Sequence, residues 1–410
     1  MRTAQLLLLA LLSTAASAQT FEQLGFLRLN DTTPRSTRAV ALGGASDPLG
    51  DVDMAANPAT LASVKRPLFL VEGVRSSIGA VYEDPVAQRW VWLGGTSLSH
   101  AAVALPFRGG AIGGYYASEP RLRGLDPGAT SFGTTTYFPA PCIVSCFYSL
   151  GNATALDRRE RRYGVTVAGE RGAFAFGAGV EVQRVEESAE LVRFTLSTPL
   201  APPALTSRAE RLFRGVDGRA VVPNVGVRWR VSPRLAVAAA YNGAGSFTRT
   251  TRACNVAEAR AEWLTCTSSV MPIGSSVERL PNAIRAGAAF AVSDRLRLAA
   301  EAVRRNYSKL ANDAYTLLGG YGDRLPYYDV TELHAGVEYK LASLPVALRA
   351  GWWHDPAHYN AVGLTPFGQT VRHTTFGAGI GSGATRLDLA YDYASLAMQR
   401  RAVVGLTFGL

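Results

Sequence analysis

The chain has 410 residues, 48% of them hydrophobic and 41 of them glycine, with a formal net charge of +10. That is enough material for a large core or a wide barrel, yet no later run approaches the roughly 20 apolar residues that a membrane helix needs. The cationic excess is spread along the sequence, without a Lys/Arg-rich run or interleaved aromatics, so the usual footprint of a nucleic-acid binder is absent.

The first residues have the pattern of an export signal: Arg2 supplies the positive start, Gln5 to Leu12 a short apolar core, and Ala16-Ser17-Ala18 a small-residue cleavage site. Cleavage is expected after Ala18, which makes 1–18 a signal peptide. The next stretch, 19–66, is rich in Gly, Asp, Asn and Pro and has no sustained period of two, so it predicts a compact irregular segment rather than wall.

From Pro67 to Leu410 the pattern changes. Segments of about ten residues alternate apolar and polar side chains, at 67–76, 96–107, 110–119, 160–170, 172–185, 219–231, 234–245, 280–292, 295–307, 328–341, 344–354, 371–381, 385–395 and 400–410. Six connections are tight: Phe107 to Gly110, the neighbourhood of Arg171, Ser232-Pro233, Ser293-Asp294, Ala342-Ser343 and Gly381 to Ala384. The opposite connections, roughly 77–95, 120–159, 186–218, 246–279, 306–327 and 355–370, are long. Short turns on one side and long loops on the other predict an all-β fold, a transmembrane antiparallel β-barrel of about fourteen strands. The short turns then face the periplasm of a bacterial outer membrane and the long loops face outside, with outer-membrane lipid around the wall.

Alternation also predicts which way side chains point, because successive residues face opposite sides of a strand. Val225, Val227, Trp229 and Val231 share one face and Arg228 and Arg230 the other; Leu333, Ala335, Val337, Tyr339 and Leu341 point outward while His334, Glu338 and Lys340 point in. The same register places Arg285, Arg297, Glu301, Arg349, Arg386, Asp388 and Asp392 inside. A charge facing lipid is costly, so a barrel must turn its charges inward, and these residues speak for topology as well as for any role in passage.

Four cysteines, Cys142, Cys146, Cys254 and Cys266, fall in the long connections. In an exported chain an even count reads as disulfides; three connectivities are open, and local pairing, Cys142 with Cys146 and Cys254 with Cys266, is expected. No histidine lies close enough to suggest zinc. His354 and His358 share a spacing that would suit a metal on a helix, but Pro356 between them disfavours one, so no metal and no cofactor is expected. No Gly-x-Ser-x-Gly elbow appears, and the chain is not expected to be an enzyme. Two apolar clusters in long connections, one around Phe194 and Leu196 and one around Leu317 and Tyr321, suit a groove for a hydrophobic small molecule; the same outer loops could dock a protein partner.

Ser36-Thr-Arg-Ala-Val-Ala-Leu-Gly-Gly-Ala45, the acidic residues Asp51 and Asp53, Asn57-Pro58-Ala59 and Lys65-Arg66-Pro67 at the first strand together resemble the hatch of the FadL-type outer-membrane transporters. Arg349-Ala-Gly-Trp-Trp353 followed by Pro356 is similar to a late strand of that family. The resemblance implies a fourteen-stranded barrel plugged by 19–66, importing long-chain fatty acids or other apolar molecules. It also implies a lateral exit beside a kinked third strand, where Gly113 and Gly114 lie here. Gly43, Gly44, Asn57, Pro58 and Ala59 become hatch or gating positions. The acidic residues Asp47, Asp51 and Asp53 depart from the family's adjacent pair, which bears on substrate class. PorV-like relatives, which look alike at the N-terminus, serve protein secretion as shuttles and are the alternative.

Overall fold

A computed structural model describes residues 36–83, 88–118, 122–125, 133–135, 145–199, 206–256, 266, 268–309, 328–356, 370–382, 385–394 and 400–409. The signal segment, residues 19–35, Cys142, Leu317 and Tyr321 lie outside these.

The described chain is almost entirely antiparallel sheet. Its strands are β1 (Leu68–Glu83), β2 (Gln88–Phe107), β3 in three stretches (Gly110–Ser118, Leu122–Leu125, Gly133–Thr135), β4 (Ser145–Arg171), β5 (Phe174–Pro199) and β6 (Thr206–Arg230). There follow β7 (Leu235–Asn242 and Ser246–Val256), β8 (Met271–Arg279 and Ala283–Ala291), β9 (Leu296–Arg305), β10 (Val330–Lys340) and β11 (Val346–Asp355). The last are β12 (Val371–Ser382), β13 (Thr385–Ala394) and β14 (Arg400–Gly409). The three described stretches of β3 all pair with β4, and both stretches of β7 pair with β6, so each set is counted as one strand. β14 pairs with β1 from Leu68 opposite Gly409 to Ser77 opposite Arg400, which closes the cylinder. Closure leaves no edge strand at that seam, the condition for a sheet to cross a membrane.

The wall reads as the alternation requires. Val225, Trp229, Leu333, Tyr339, Leu348, Phe376, Val404, Leu406 and Phe408 present exposed apolar surface to the outside. Glu338, Arg349 and Asp388, at alternate positions of the same wall, are buried on the inner side. The tight turns have local causes. Ser232 Oγ accepts the amides of Arg234 and Leu235, and Ser293 Oγ accepts those of Arg295 and Leu296, the same hydroxyl-closed turn used twice. Gly109 and Gly172 take φ of 89° and 62°, left-handed values that a side chain would strain.

The long connections differ from expectation. β4, β5 and β6 continue far beyond 160–170, 172–185 and 219–231, and much of 120–159 and 186–218 is ladder rather than loop. Phe194 lies opposite Leu150 and Ala209, and Leu196 opposite Tyr148 and Ser207, so both belong to a strand and not to an irregular loop. Residues 246–256 and 271–279 are likewise strand, and Cys254, placed in β7, is disulfide-bonded to Cys266. Cys146 lies in β4. Alternation marks a strand only where lipid lies against one face and a polar interior against the other, so strand outside the apolar belt carries no such mark in the sequence.

One ladder lapses within the wall. β6 and β7 are in register at Asn224 opposite Asn242 and again at Val216 opposite Arg249, but not between. Gly243 donates to Pro223 O there, and Phe247, Val185 and Leu280 form a small apolar cluster at the same level. By contrast, Gly113 and Gly114 pair without a break, Gly113 with Ala104 and Thr166, Gly114 with Val103 and Val165. No break in the ladder falls at these glycines, where the expectation placed a lateral exit.

Candidate functional site: the bore and the N-terminal segment

Residues 36–66 run through the bore. Ser36 opens a short helix, α1 (Thr37–Ala41), by accepting the Ala39 amide on its hydroxyl. Gly43 and Gly44, with φ of 61° and 92°, turn the chain, and a 3-10 turn follows at Asp47–Leu49. Asn57 caps a second 3-10 turn, Pro58–Ser63, its side-chain oxygen accepting the Ala59 amide at 3.0 Å. Proline at the first position of that turn gives up no hydrogen bond, since its amide would have been unpaired there. Asp51 and Asp53 hold the two halves together: Asp51 accepts from Ser36 Oγ at 2.9 Å, and Asp53 accepts the amides of Ser36 at 3.3 Å and Ala56 at 3.2 Å.

The wall is shaped to this segment by the absence of side chains. A Cβ at Gly113 would lie 2.5 Å from Met54 Sδ, at Gly336 2.6 Å from Leu42 O, at Gly405 2.6 Å from Thr37 Oγ1, and at Gly287 2.9 Å from Pro48 Cγ. At Gly177, Gly226, Gly351 and Gly377 it would strike Pro58, Asn57, Gly43 and Ala41. Glycines on eight different strand stretches thus admit the segment against the sheet, its backbone at Gly177, Gly336 and Gly351 and its side chains at the rest. Leu42, Met54 and Leu61 become fully buried, each worth about 1.5–3 kcal/mol relative to exposure.

An irregular backbone inside a bore needs partners for its carbonyls, and wall side chains provide them. His334 Nδ1 donates to Gly43 O at 2.6 Å, Thr375 Oγ1 to Ala41 O at 3.2 Å, Arg228 Nε to Pro48 O at 3.1 Å and Asn242 Nδ2 to Ala55 O at 2.9 Å. On the other side, Glu72 accepts the Thr37 amide at 2.8 Å.

Six charges form one network between segment and wall, apart from the exposed pair Lys65–Glu170 at 2.7 Å. Arg38 reaches Glu338 at 3.0 Å through both Nε and Nη2 and Asp51 at 3.4 Å; Arg349 joins Glu338 at 2.9 Å to Asp388 at 2.7 Å; Arg386 pairs with Asp388 and lies 3.8 Å from Asp51. Three guanidinium groups thus face three carboxylates. Burial works against ionisation of Asp51, but Arg38 and Arg386 outweigh it and hold this carboxyl below the usual carboxylate range. Asp47 shows the opposite balance: burial, then the nearby Glu301, push it well above that range. Arg285 pairs with Glu301 at 2.9 Å.

Of the charges expected in the lumen, Arg228, Arg285, Glu301, His334, Glu338, Arg349, Arg386 and Asp388 are on the inner face, and Arg38, Glu72 and Trp353, to which the sequence assigned no such place, join them. Trp353 is 1% exposed and stacks on His373 with ring centroids 3.6 Å apart; His373 meets Asp392 at 2.9 Å, and Arg401 meets Asp392 at 3.2 Å. Parity along β1 and β11 would have assigned Glu72 and Trp353 inward; for Arg38, in an irregular segment, no periodicity exists. A cavity of about 120 Å³ remains between the segment and β1, β13 and β14, lined by Arg38, Asp51, Leu70, Glu72, Arg386 and Thr407 among others. Among the described residues no cluster suited to a metal is found.

Neither a family model nor a curated protein sequence matches this chain. Solved structures do match it along nearly its whole length. A Pseudomonas aeruginosa FadL homologue superposes with a TM-score of 0.68 at 15% identity, covering 93% of this chain and 99% of the other. The Pseudomonas putida toluene transporter TodX gives 0.60 at 16% identity, covering 92% and 98%. The Ralstonia pickettii toluene transporter TbuX gives 0.60 at 14% identity, covering 94% and 100%. The fold is that of the FadL-type barrels.

Proposed function

We propose that this protein is an outer-membrane channel of the FadL type, taking up hydrophobic small molecules without energy input, with residues 19–66 as its hatch. The observation that carries the reading is the fit of segment 36–66 inside a closed fourteen-stranded wall, held by ion pairs and single hydrogen bonds rather than by a sheet ladder. A plug fastened only by side chains can shift without breaking the wall. The similarity in fold to toluene transporters and to a FadL homologue supports apolar cargo, of which fatty-acid-like and monoaromatic molecules are the two natural classes. Capture would occur on the long-loop side, in the region of Phe194, Leu196, Leu317 and Tyr321, followed by passage along the rearranged hatch.

The test is uptake by cells lacking the gene and by the same cells complemented with it, using a labelled long-chain fatty acid and toluene in parallel. Restored uptake of either supports the channel and names the class; unchanged uptake of both defeats it. The tightness of the glycine-lined seat favours a second reading, a PorV-like secretion shuttle through which no small molecule passes. A stoichiometric secreted protein that co-purifies, together with unchanged uptake, would establish that alternative.

A further inference from the structure

We infer that the outward face of β11–β14 and β1, at the end with the long connections, binds a phosphorylated acylated glycolipid of the outer leaflet, a headgroup of lipid A chemistry. The inference rests on the outer-membrane reading above but concerns a different surface from the bore. Arg75, Arg372 and Arg400 are exposed there. Among the described residues none of them forms an ion pair, whereas Arg401, the inward neighbour of Arg400, is held by Asp392. The adjoining connections 357–369 and 395–399 contain no Asp or Glu, and of the acidic residues on the strands beside them Glu72 is buried on the inner side and Asp355 shares the parity of the inward Trp353.

The ladder register sets these cations in rows with aromatic side chains. Arg400 is opposite Tyr393, Tyr393 opposite Thr374, and Thr374 opposite Trp352. In the row nearer the membrane centre, Arg75 is opposite Ala402, Ala402 opposite Tyr391, and Tyr391 opposite Phe376. Arg372 stands opposite His354 in the row beyond. Arg75 and Arg400 are diagonal neighbours on adjacent strands, about 7–8 Å apart at the backbone, close enough for both to reach one phosphate. Arg372 is two strands from Arg400, a lateral offset of about 10 Å, which suits a second phosphate on the same headgroup.

Burying three unpaired guanidinium groups in lipid would be prohibitive, and leaving them beside an apolar wall without anions has no structural return. Arginine matches phosphate oxygens bidentately, while Tyr391, Tyr393 and Trp352, 41%, 43% and 38% exposed, form the amphipathic girdle expected at the same level. Below them Leu389, Val404 and Leu406 give acyl chains a continuous apolar surface.

The test uses the full-length protein extracted from outer membranes into mild detergent. Native mass spectrometry reads co-purified lipid, and titration with diphosphoryl lipid A, with its enzymatically dephosphorylated form and with inorganic phosphate reads affinity. The variant Arg75→Gln/Arg372→Gln/Arg400→Gln is expected to lose the co-purified lipid and at least tenfold in affinity. Arg108→Gln/Arg171→Gln/Arg295→Gln, at the opposite rim, is expected to keep both. Heat-modifiable migration on gels confirms that each variant is folded. Equal binding by the first variant, equal binding of dephosphorylated lipid, or displacement by millimolar phosphate would each overturn the site. A protein that sediments with the outer membrane yet carries no such lipid overturns this inference alone, whereas sedimentation elsewhere overturns the reading beneath it.

Discussion

Arg38 is the side chain on which the seat of the N-terminal segment most depends, because it brings buried positive charge of the segment to a wall carboxylate, Glu338, and to Asp51 within the segment, whereas the other cation of the segment that meets the wall, Lys65 on Glu170, is exposed. Breaking a buried pair by removing one partner costs roughly 3–5 kcal/mol, since the other charge is left unmatched. Arg349 still reaches Glu338, so Arg38→Ala is expected near the lower end of that range, read as a lower temperature of the heat-modifiable gel transition; an unchanged transition would show that the pair carries no stability. The two aspartates separate by pH. The Asp51 contribution is present above the ordinary carboxylate pKa and is lost as pH falls through its depressed folded value. Asp47 runs the other way: its folded value is raised, so its charge costs stability as pH rises from the ordinary value through the folded one. Asp47→Asn is therefore expected to stabilise the protein at neutral pH and to match the parent at acid pH, where Asp47 is already protonated. Urea denaturation followed by tryptophan fluorescence at both pH values checks the sign.

At the scale of elements, the sequence made the membrane-crossing parts of the strands legible and hid the parts above them. Within the belt, lipid outside and charge inside impose a contrast at every step, as in Leu333-His334-Ala335, and the fourteen segments follow from it. Beyond the belt, β4 and β5 pair over a ladder from Arg171 opposite Phe174 to Ser145 opposite Pro199. Those hydrogen bonds belong to the backbone, which side-chain periodicity cannot report. The N-terminal segment shows the same limit in reverse. Asn57, Pro58 and the Gly43-Gly44 turn could be read because each acts locally, but Arg38 with Glu338 spans 300 positions and only the fold brings them together. The extended β7 carries its own prediction. The Cys254–Cys266 disulfide closes a loop with a sequence separation of 12 at the end of that strand, which by the chain-entropy account contributes about 3 kcal/mol against opening of the loop. Replacing both cysteines by alanine should leave barrel assembly intact and make residues 255–265 susceptible to protease in whole cells; equal resistance would mean that neighbouring loops, not the bridge, hold this end.

For the molecule as a whole, the question is whether anything can pass while the wall stays closed. The bore is occupied by a segment packed against glycines around the circumference, so passage through it requires the segment to move as a body or to loosen at one side. A covalent lock decides between movement and a bypass. A Cβ built at Gly377 falls against Ala41 Cβ, the last residue of α1 against β12, and this proximity, relaxed to the roughly 3.8 Å Cβ separation of a disulfide, suits Ala41→Cys/Gly377→Cys. If α1 must leave its seat, the oxidised variant should take up neither apolar probe, and a reductant should restore uptake. The parent treated with the same reductant controls for Cys254–Cys266. The single variant Gly377→Cys separates crowding from locking, because a lone thiol pushes against α1 but cannot hold it. Full uptake by the oxidised double variant, with the bond verified by mass spectrometry, would place the route outside the α1 seat and shift attention to the lapse in the β6–β7 ladder, where the described wall is not fully hydrogen-bonded.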